Sequence, residues 1–380
     1  MRIAYTTTFD ARDVHNWSGT PFYMSKAFQE NGIDVEYIDS LKRNLPRFFK
    51  LKQFWKKHIC DQRESPRFNI HAAKSYSAQV AKQLENKSID AIVSPLVNPV
   101  AYLETKKPIV LWTDALYAAL IGFYSPFSKH SANSLGEGNI VTAECLSRTS
   151  LAIFCSEWAA KSAIEIYGVQ KEKVKIVPFG ANIDTFPDLA AIREIVKKRA
   201  HDKIKLLFLA KSWERKGGDV VLAVTRALHA AGHRVELTIV GYTPPAHENI
   251  PDYVKCLGFV SKHTPQGKET IRQLLTDTHF LFVPSRAEAY GIVFCEANAF
   301  GVPCLTTYVG GISSVVKDNI NGMTFSLYAS VTDYCNYIVN LMHERARYEA
   351  LALSSYNEFI TRLNWKSAIQ EVRRLIQEVR

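Results

Sequence analysis

Two glutamates, Glu288 and Glu296, stand eight positions apart in LFVPSRAEAYGIVFCEANAFGVPCLTTYVGGISSVVKDNING, residues 281–322. The apolar run from Phe280 to Val283 that Pro284 stops reads as a buried parallel strand. Its end opens into a loop carrying Ser285, Arg286, Glu288, Tyr290 and Gly291. A helical run over 292–300 then contains Glu296, with Gly301-Val302-Pro303 as the stop signal. A helix start beside a glycine offers free N–H groups and a positive dipole end to a diphosphate. Ligands of open α/β sheets sit beyond the carboxyl ends of the strands. The layout therefore suits a nucleotide-sugar, with Glu288 accepting from sugar hydroxyls and Glu296 from the ribose. Spacing alone leaves a plainer alternative open, two solvated glutamates flanking an ordinary turn.

Other polar groups stand at the ends of similar apolar runs. Strand 204–209 precedes Lys211, Arg215, Lys216, Gly217 and Gly218. A diphosphate carries about two negative charges, so it favours point cations next to a helix start; a solvated basic turn is the bland alternative. The turn at Gly19 lacks the G-x-G-x-x-G dinucleotide fingerprint, yet one glycine still permits close backbone approach to a phosphate. It is equally readable as a loop glycine. Runs 90–95 and 108–115 deliver Ser94 and Asp114 to the same kind of crevice. An aspartate there is also a common N-cap of the next helix.

Strands and helices alternate along both halves, which implies α/β architecture with parallel sheets covered on both faces. A length of 380 residues with 47% hydrophobic content fits two globular domains. No run of about eighteen apolar residues occurs. The opening MRIAYTTTFD reads as a first strand rather than a signal peptide. Seven scattered cysteines without C-x-x-C spacing argue for a reducing cytosol and against a zinc site. The net charge of +10 calls for an anionic partner. Segment 42–68 is dense in Lys and Arg interleaved with Phe48, Phe49, Phe54 and Trp55. It reads either as a surface helix with core aromatics or as a peripheral contact with an anionic membrane. Nucleic acid is not expected without a recognition fold. The aromatics of 117–134 suit an acceptor cleft and core packing equally well.

PSRAEAYGIVFCEANAFGVPC resembles the E-x7-E segment of the family-4 retaining glycosyltransferases of the GT-B fold. KSWERKGGD, IVPFGANID and SGTPFYMSKAF resemble three further segments of that family in the expected order, so the likeness spans nearly the whole chain apart from about 41–87. The resemblance implies two Rossmann-like domains facing across a cleft. These are an acceptor domain, 1–178, a nucleotide-sugar domain, 179–364, and a last helix, 365–380, that returns to the first. It implies catalytic roles for Glu288, Lys211, Lys216 and Asp114. Donor contacts fall to Gly19, Phe259, Arg286, Ala289, Tyr290, Gly291, Ile292, Val293 and Glu296. Lys211 stands where the family usually has arginine, which keeps the charge but loses the bidentate fork. Thr113-Asp114 replaces a usual histidine–aspartate pair and leaves Asp114 as the carried-over polar group.

No D-x-D pair occurs, so no metal or other cofactor is expected. The expected activity is metal-independent transfer of a hexose, with retention, from a nucleotide-sugar to a glycan or lipid-linked saccharide. UDP-glucose is the favoured donor, with GDP-mannose and UDP-N-acetylhexosamine as alternatives. The expected location is the cytoplasm, at the inner membrane face. Rival readings are a GT-B-like nucleotide-sugar epimerase, or a non-catalytic basic protein binding a membrane or nucleic acid.

Overall fold

The structure is a computed structural model that describes every residue except 47, 50–52, 56–64, 201, 246–247 and 380. The backbone divides into two compact units, Met1–Phe179 with Ala368–Arg380, and Gly180–Ser367.

The first unit is a six-stranded sheet in the order β2-β1-β3-β4-β5-β6, parallel throughout. Its strands are Arg2–Thr6 (β1), Asp34–Ile38 (β2), Ala91–Ser94 (β3), Ile109–Thr113 (β4), Leu151–Phe154 (β5) and Val174–Ile176 (β6). β3, β4 and β5 are buried along their whole length, which is why they read as continuous apolar runs rather than alternating ones. Helices start at polar caps: Asn69, Ser131 and Ser156 each accept from backbone N–H groups of the first turn. Tyr5, Phe28, Trp112 and Phe179 form a chain of ring contacts, and the Trp112 indole donates to the Val177 carbonyl at 3.1 Å. Tyr117 packs against Phe68 and Phe127 and meets His130 Nδ1 at 2.9 Å, so its ring belongs to the core.

The second unit is another six-stranded parallel sheet, β12-β11-β10-β7-β8-β9. It contains Ile204–Leu209 (β7), Val235–Val240 (β8), Val254–Cys256 (β9), Phe280–Phe282 (β10), Cys304–Thr307 (β11) and Gly322–Phe325 (β12). Taking β7 as the first strand, the order is that of a doubly wound dinucleotide-type sheet, whose direction of winding reverses between β7 and β10. The helix expected over 292–300 ends sooner, at Asn298. Gly301 takes φ 60° there, and Val302 N–H returns to the Ala297 carbonyl at 3.1 Å. Arg199 is the most heavily bonded buried cation of this unit: its guanidinium donates to the carbonyls of Leu275, Thr276, Phe300 and Gly301 and to Tyr348 Oη. Carbonyl groups at two helix ends thus do the work a carboxylate would otherwise do.

Much of the basic stretch 42–68 lies outside the described residues, and so does most of the membrane contact expected of it. In its described part Phe48, Phe54 and Trp55 are exposed, while Phe49 and Phe68 are buried. Among the described residues no helix is long and apolar enough to cross a membrane.

Candidate active site

The turn after β7 and the loop after β10 flank the reversal point of the second sheet, where a crevice forms at strand ends. Two glycines let them meet. Gly217 has φ 73°, and a Cβ there would lie 2.2 Å from the Pro284 carbonyl oxygen. A Cβ on Gly218 would strike the Trp213 ring at 2.2 Å. With both side chains reduced to hydrogen, the short helix Trp213–Lys216 packs onto the β10 loop. Arg286 N–H then reaches the Arg215 carbonyl at 2.7 Å, and Arg215 Nη1 reaches the Ala287 carbonyl at 2.9 Å.

That packing brings Lys216 Nζ into a direct ion pair with Glu288 Oε2, with Arg215 Nη1 3.5 Å from the same oxygen. Both Lys216 and Glu288 are buried. Burial, followed by the Arg215 charge, pulls the Lys216 ammonium down to about 7, whereas the carboxylate it touches favours the charged form. Gly311 N–H, from the glycine turn beyond β11, donates to the Glu288 carbonyl at 3.1 Å and fixes that backbone. Lys211 is exposed and lies 5.2 Å above the ring of Phe259, itself 62% exposed. The cation and the aromatic named from sequence therefore form one contact. Arg286 has a different partner: its fork grips both oxygens of Asp219, at 2.8 and 2.7 Å, tying the two turns together.

Gly291 opens the helix Ile292–Asn298 with φ 89°, where a Cβ would lie 2.5 Å from the Phe294 ring. Ala289, Tyr290 and Val293 are buried beside it. Glu296 projects from this helix with 0% exposure. One carboxylate oxygen, Oε2, pairs with Lys262, from the loop after β9. The other, Oε1, is buried without a hydrogen-bond partner. Leaving a buried acceptor unmet costs about 1–3 kcal/mol, which a hydroxyl-bearing ligand would recover. Sequence reasoning missed Lys262. The chain offers a weak signal for it, a lysine just ahead of the Thr264-Pro265 helix start.

In the first unit, Trp17, Ser18 and Gly19 all take positive φ, at 44°, 56° and 84°, before the helix Thr20–Glu30. For Trp17 and Ser18 this conformation costs about 1–2 kcal/mol each, so neighbouring contacts must hold it. The Trp17 side chain donates to Asp114, and its ring lies 6.2 Å from that of Phe179. Asp114 also accepts from the Ala115 N–H, and burial pushes its carboxyl up to about 7. It does not serve as an N-cap, because the following helix Tyr117–Leu120 is preceded by Leu116. Among the described residues no cluster of three or more His, Cys, Asp or Glu could hold a metal ion.

Two doubly wound parallel sheets, the second carrying paired carboxylates and lysines at its reversal point, define the GT-B class of fold. Residues 191–358, all within the second unit, match the family described as Glycosyl transferases group 1. The D-inositol 3-phosphate glycosyltransferase of Xylanimonas cellulosilytica is 27% identical over 201 residues, 49% of this chain and 48% of that protein. The chain thus spans about half the length of such curated relatives. Sucrose-phosphate synthase from Thermosynechococcus elongatus superposes with TM-score 0.72 at 14% identity, covering 100% of this chain and 99% of that one. Anabaena HepE, solved with UDP and glucose, superposes with TM-score 0.62 at 16% identity, covering 99% of each chain. At such identities the superpositions establish the fold alone.

Proposed function

We propose that the protein is a metal-independent retaining glycosyltransferase. It moves a hexose from a nucleotide-sugar, UDP-glucose first, to a glycan or lipid-linked saccharide at the inner membrane face. The observation that carries this reading is the second unit's reversal point, where two lysines pair with two buried carboxylates and one carboxylate oxygen lacks a partner. Cations already placed beside a glycine turn are what a departing diphosphate requires. Lys216 and Arg215 meet the phosphate charge, with Lys211 above Phe259 at the entrance. Glu296 Oε1 takes a ribose hydroxyl. Glu288, released from Lys216 by the arriving phosphate, accepts sugar hydroxyls and positions the ring rather than attacking it. With the leaving phosphate held on the face the acceptor approaches, a phosphate oxygen takes the acceptor's proton and configuration is kept. Support for a uridine donor comes from the fold likeness to Anabaena HepE, whose structure contains UDP and glucose. The exposed aromatics Phe48, Phe54 and Trp55 support a peripheral membrane contact.

The test is a metal-free calorimetric titration with UDP, GDP, ADP and their sugar conjugates. One nucleotide class should bind saturably and lose affinity in Glu296→Ala. If none binds, the donor-site assignment is wrong.

A further inference from the structure

Glu296 is a fully buried carboxylate that meets its cation through one oxygen only. The cation comes from a loop built to stay in place. Thr264 Oγ1 donates to the Ser261 carbonyl at 3.3 Å and accepts from the Gly267 N–H at 3.1 Å. A Cβ on Gly267 would come within 1.8 Å of the Ser261 oxygen, so glycine is what lets this turn close on the helix Pro265–Asp277. Lys262 lies inside that turn, and its side chain, 32% exposed, runs inward to Oε2. A surface lysine with no task would extend into water instead.

We propose that Lys262 is a positioning residue for the donor: by holding Oε2 it keeps Glu296 ionised and turns Oε1 toward a vicinal diol of the bound nucleotide. This rests on the donor-site reading above. The other groups facing Glu296 do not supply the charge. Cys295, next to it in the helix, has its thiol pushed up to about 12 by burial and donates to Tyr290 Oη at 3.6 Å, so it is neutral. Arg362 acts on that thiol from further away, its guanidinium held by Glu358 and by the carbonyls of Ser314 and Val315. Burial raises the Glu296 carboxyl above its ordinary range even with Lys262 in place, and Lys262 is the group that limits the rise. A protonated Glu296 would offer the diol a weaker acceptor.

Binding of UDP is measured by calorimetry at pH 6, 7 and 8 for the wild type, Lys262→Met and Lys262→Arg. Wild-type affinity sets the reference at each pH, because Lys216, drawn down to about 7, and the terminal phosphate of UDP both titrate in this range. Relative to wild type, Lys262→Met should weaken as pH falls, by about five- to tenfold between pH 8 and 6, because the buried carboxyl has lost the cation that opposes its rise. Lys262→Arg should restore the wild-type profile. 2′,3′-Dideoxyuridine diphosphate should bind more weakly to all three proteins, with the same variant-to-wild-type ratio at every pH. A loss in Lys262→Met that is equal at every pH, or no loss, overturns the proposal. A second readout needs no ligand: 13C resonances of labelled glutamate carboxyls, with Glu296 assigned by Glu296→Gln. Its titration must move to higher pH in Lys262→Met. If it moves but wild type binds no nucleoside diphosphate, the donor reading fails and the diol role falls with it. If UDP binds but the titration does not move, only the Lys262 role fails.

Discussion

The two units hold the carboxylates of their candidate site residues in opposite ways. In the second, Glu288 touches Lys216 and Glu296 touches Lys262, each pair made across separate strand–helix connections. In the first, Asp114 is held by the Trp17 side chain and a backbone N–H, and among the described residues no lysine or arginine forms an ion pair with it. A carboxylate beside a cation occupies the place of an anionic ligand and must yield it when the ligand arrives. One held only by dipoles stays where it is and responds to protons instead. On the proposed function, the site carboxylates of the second unit would yield to an arriving anion, while Asp114 in the first would answer to protons and neutral groups.

Breaking the Lys216–Glu288 pair from either end tests this contrast most severely. Glu288→Gln should lower transfer by about 10²- to 10³-fold without weakening binding of a nucleoside diphosphate, because its carboxylate no longer competes for Lys216. Lys216→Met should abolish that binding and destabilise the fold by about 3–5 kcal/mol, since a buried carboxylate is left without its cation. Calorimetry and urea unfolding separate the two. If Glu288→Gln loses nucleotide binding as Lys216→Met does, the pair is a brace and the exchange picture is wrong.

A smaller effect is expected at the contact that makes the pair. Gly217→Ala forces a Cβ into a left-handed residue 2.2 Å from the Pro284 oxygen. The turn must shift, at about 2–3 kcal/mol, and Lys216 shifts with it. Thermal unfolding should show the loss of stability, with a raised KM for the donor. Gly232 also has positive φ, 86°, but open space around its Cβ site, so Gly232→Ala controls for backbone strain alone.

Legibility in the sequence follows the same division. Strand ends, the glycine turns and the motif glutamates could be read because apolar runs stop at Pro and Gly, and local periodicity shows where side chains emerge. Side-chain partners could not. Lys262 meets Glu296 across 34 positions, and Trp17 reaches Asp114 from a loop whose left-handed backbone no residue type announces. Arg286, a donor contact by resemblance, pairs with Asp219 across 67 positions. Arg199, which drew no reading from sequence, is 1% exposed among carbonyls of two other helices. Such pairings are set by which strand ends adjoin, which the sheet order decides.

The gentlest test lies in the first unit. The Asp114 carboxyl is raised from the ordinary 3.8 to about 7, chiefly by burial. Between those values the folded protein keeps a proton that the unfolded chain has released, so stability declines as pH rises through the window. Asp114→Asn cannot ionise and escapes the decline. It should match wild type near pH 4 and exceed it by about 2 kcal/mol above pH 7, a figure reduced for the partial exposure of the side chain. Unfolding midpoints at pH 4 and 8 measure this. If Asp114 also accepts a hydroxyl during transfer, wild-type turnover should rise through pH 7 and the variant's should be low and flat. A stability gain without loss of turnover would instead make Asp114 a latch for the strained Trp17–Gly19 loop, and the first unit's polar contact would have to come from another residue.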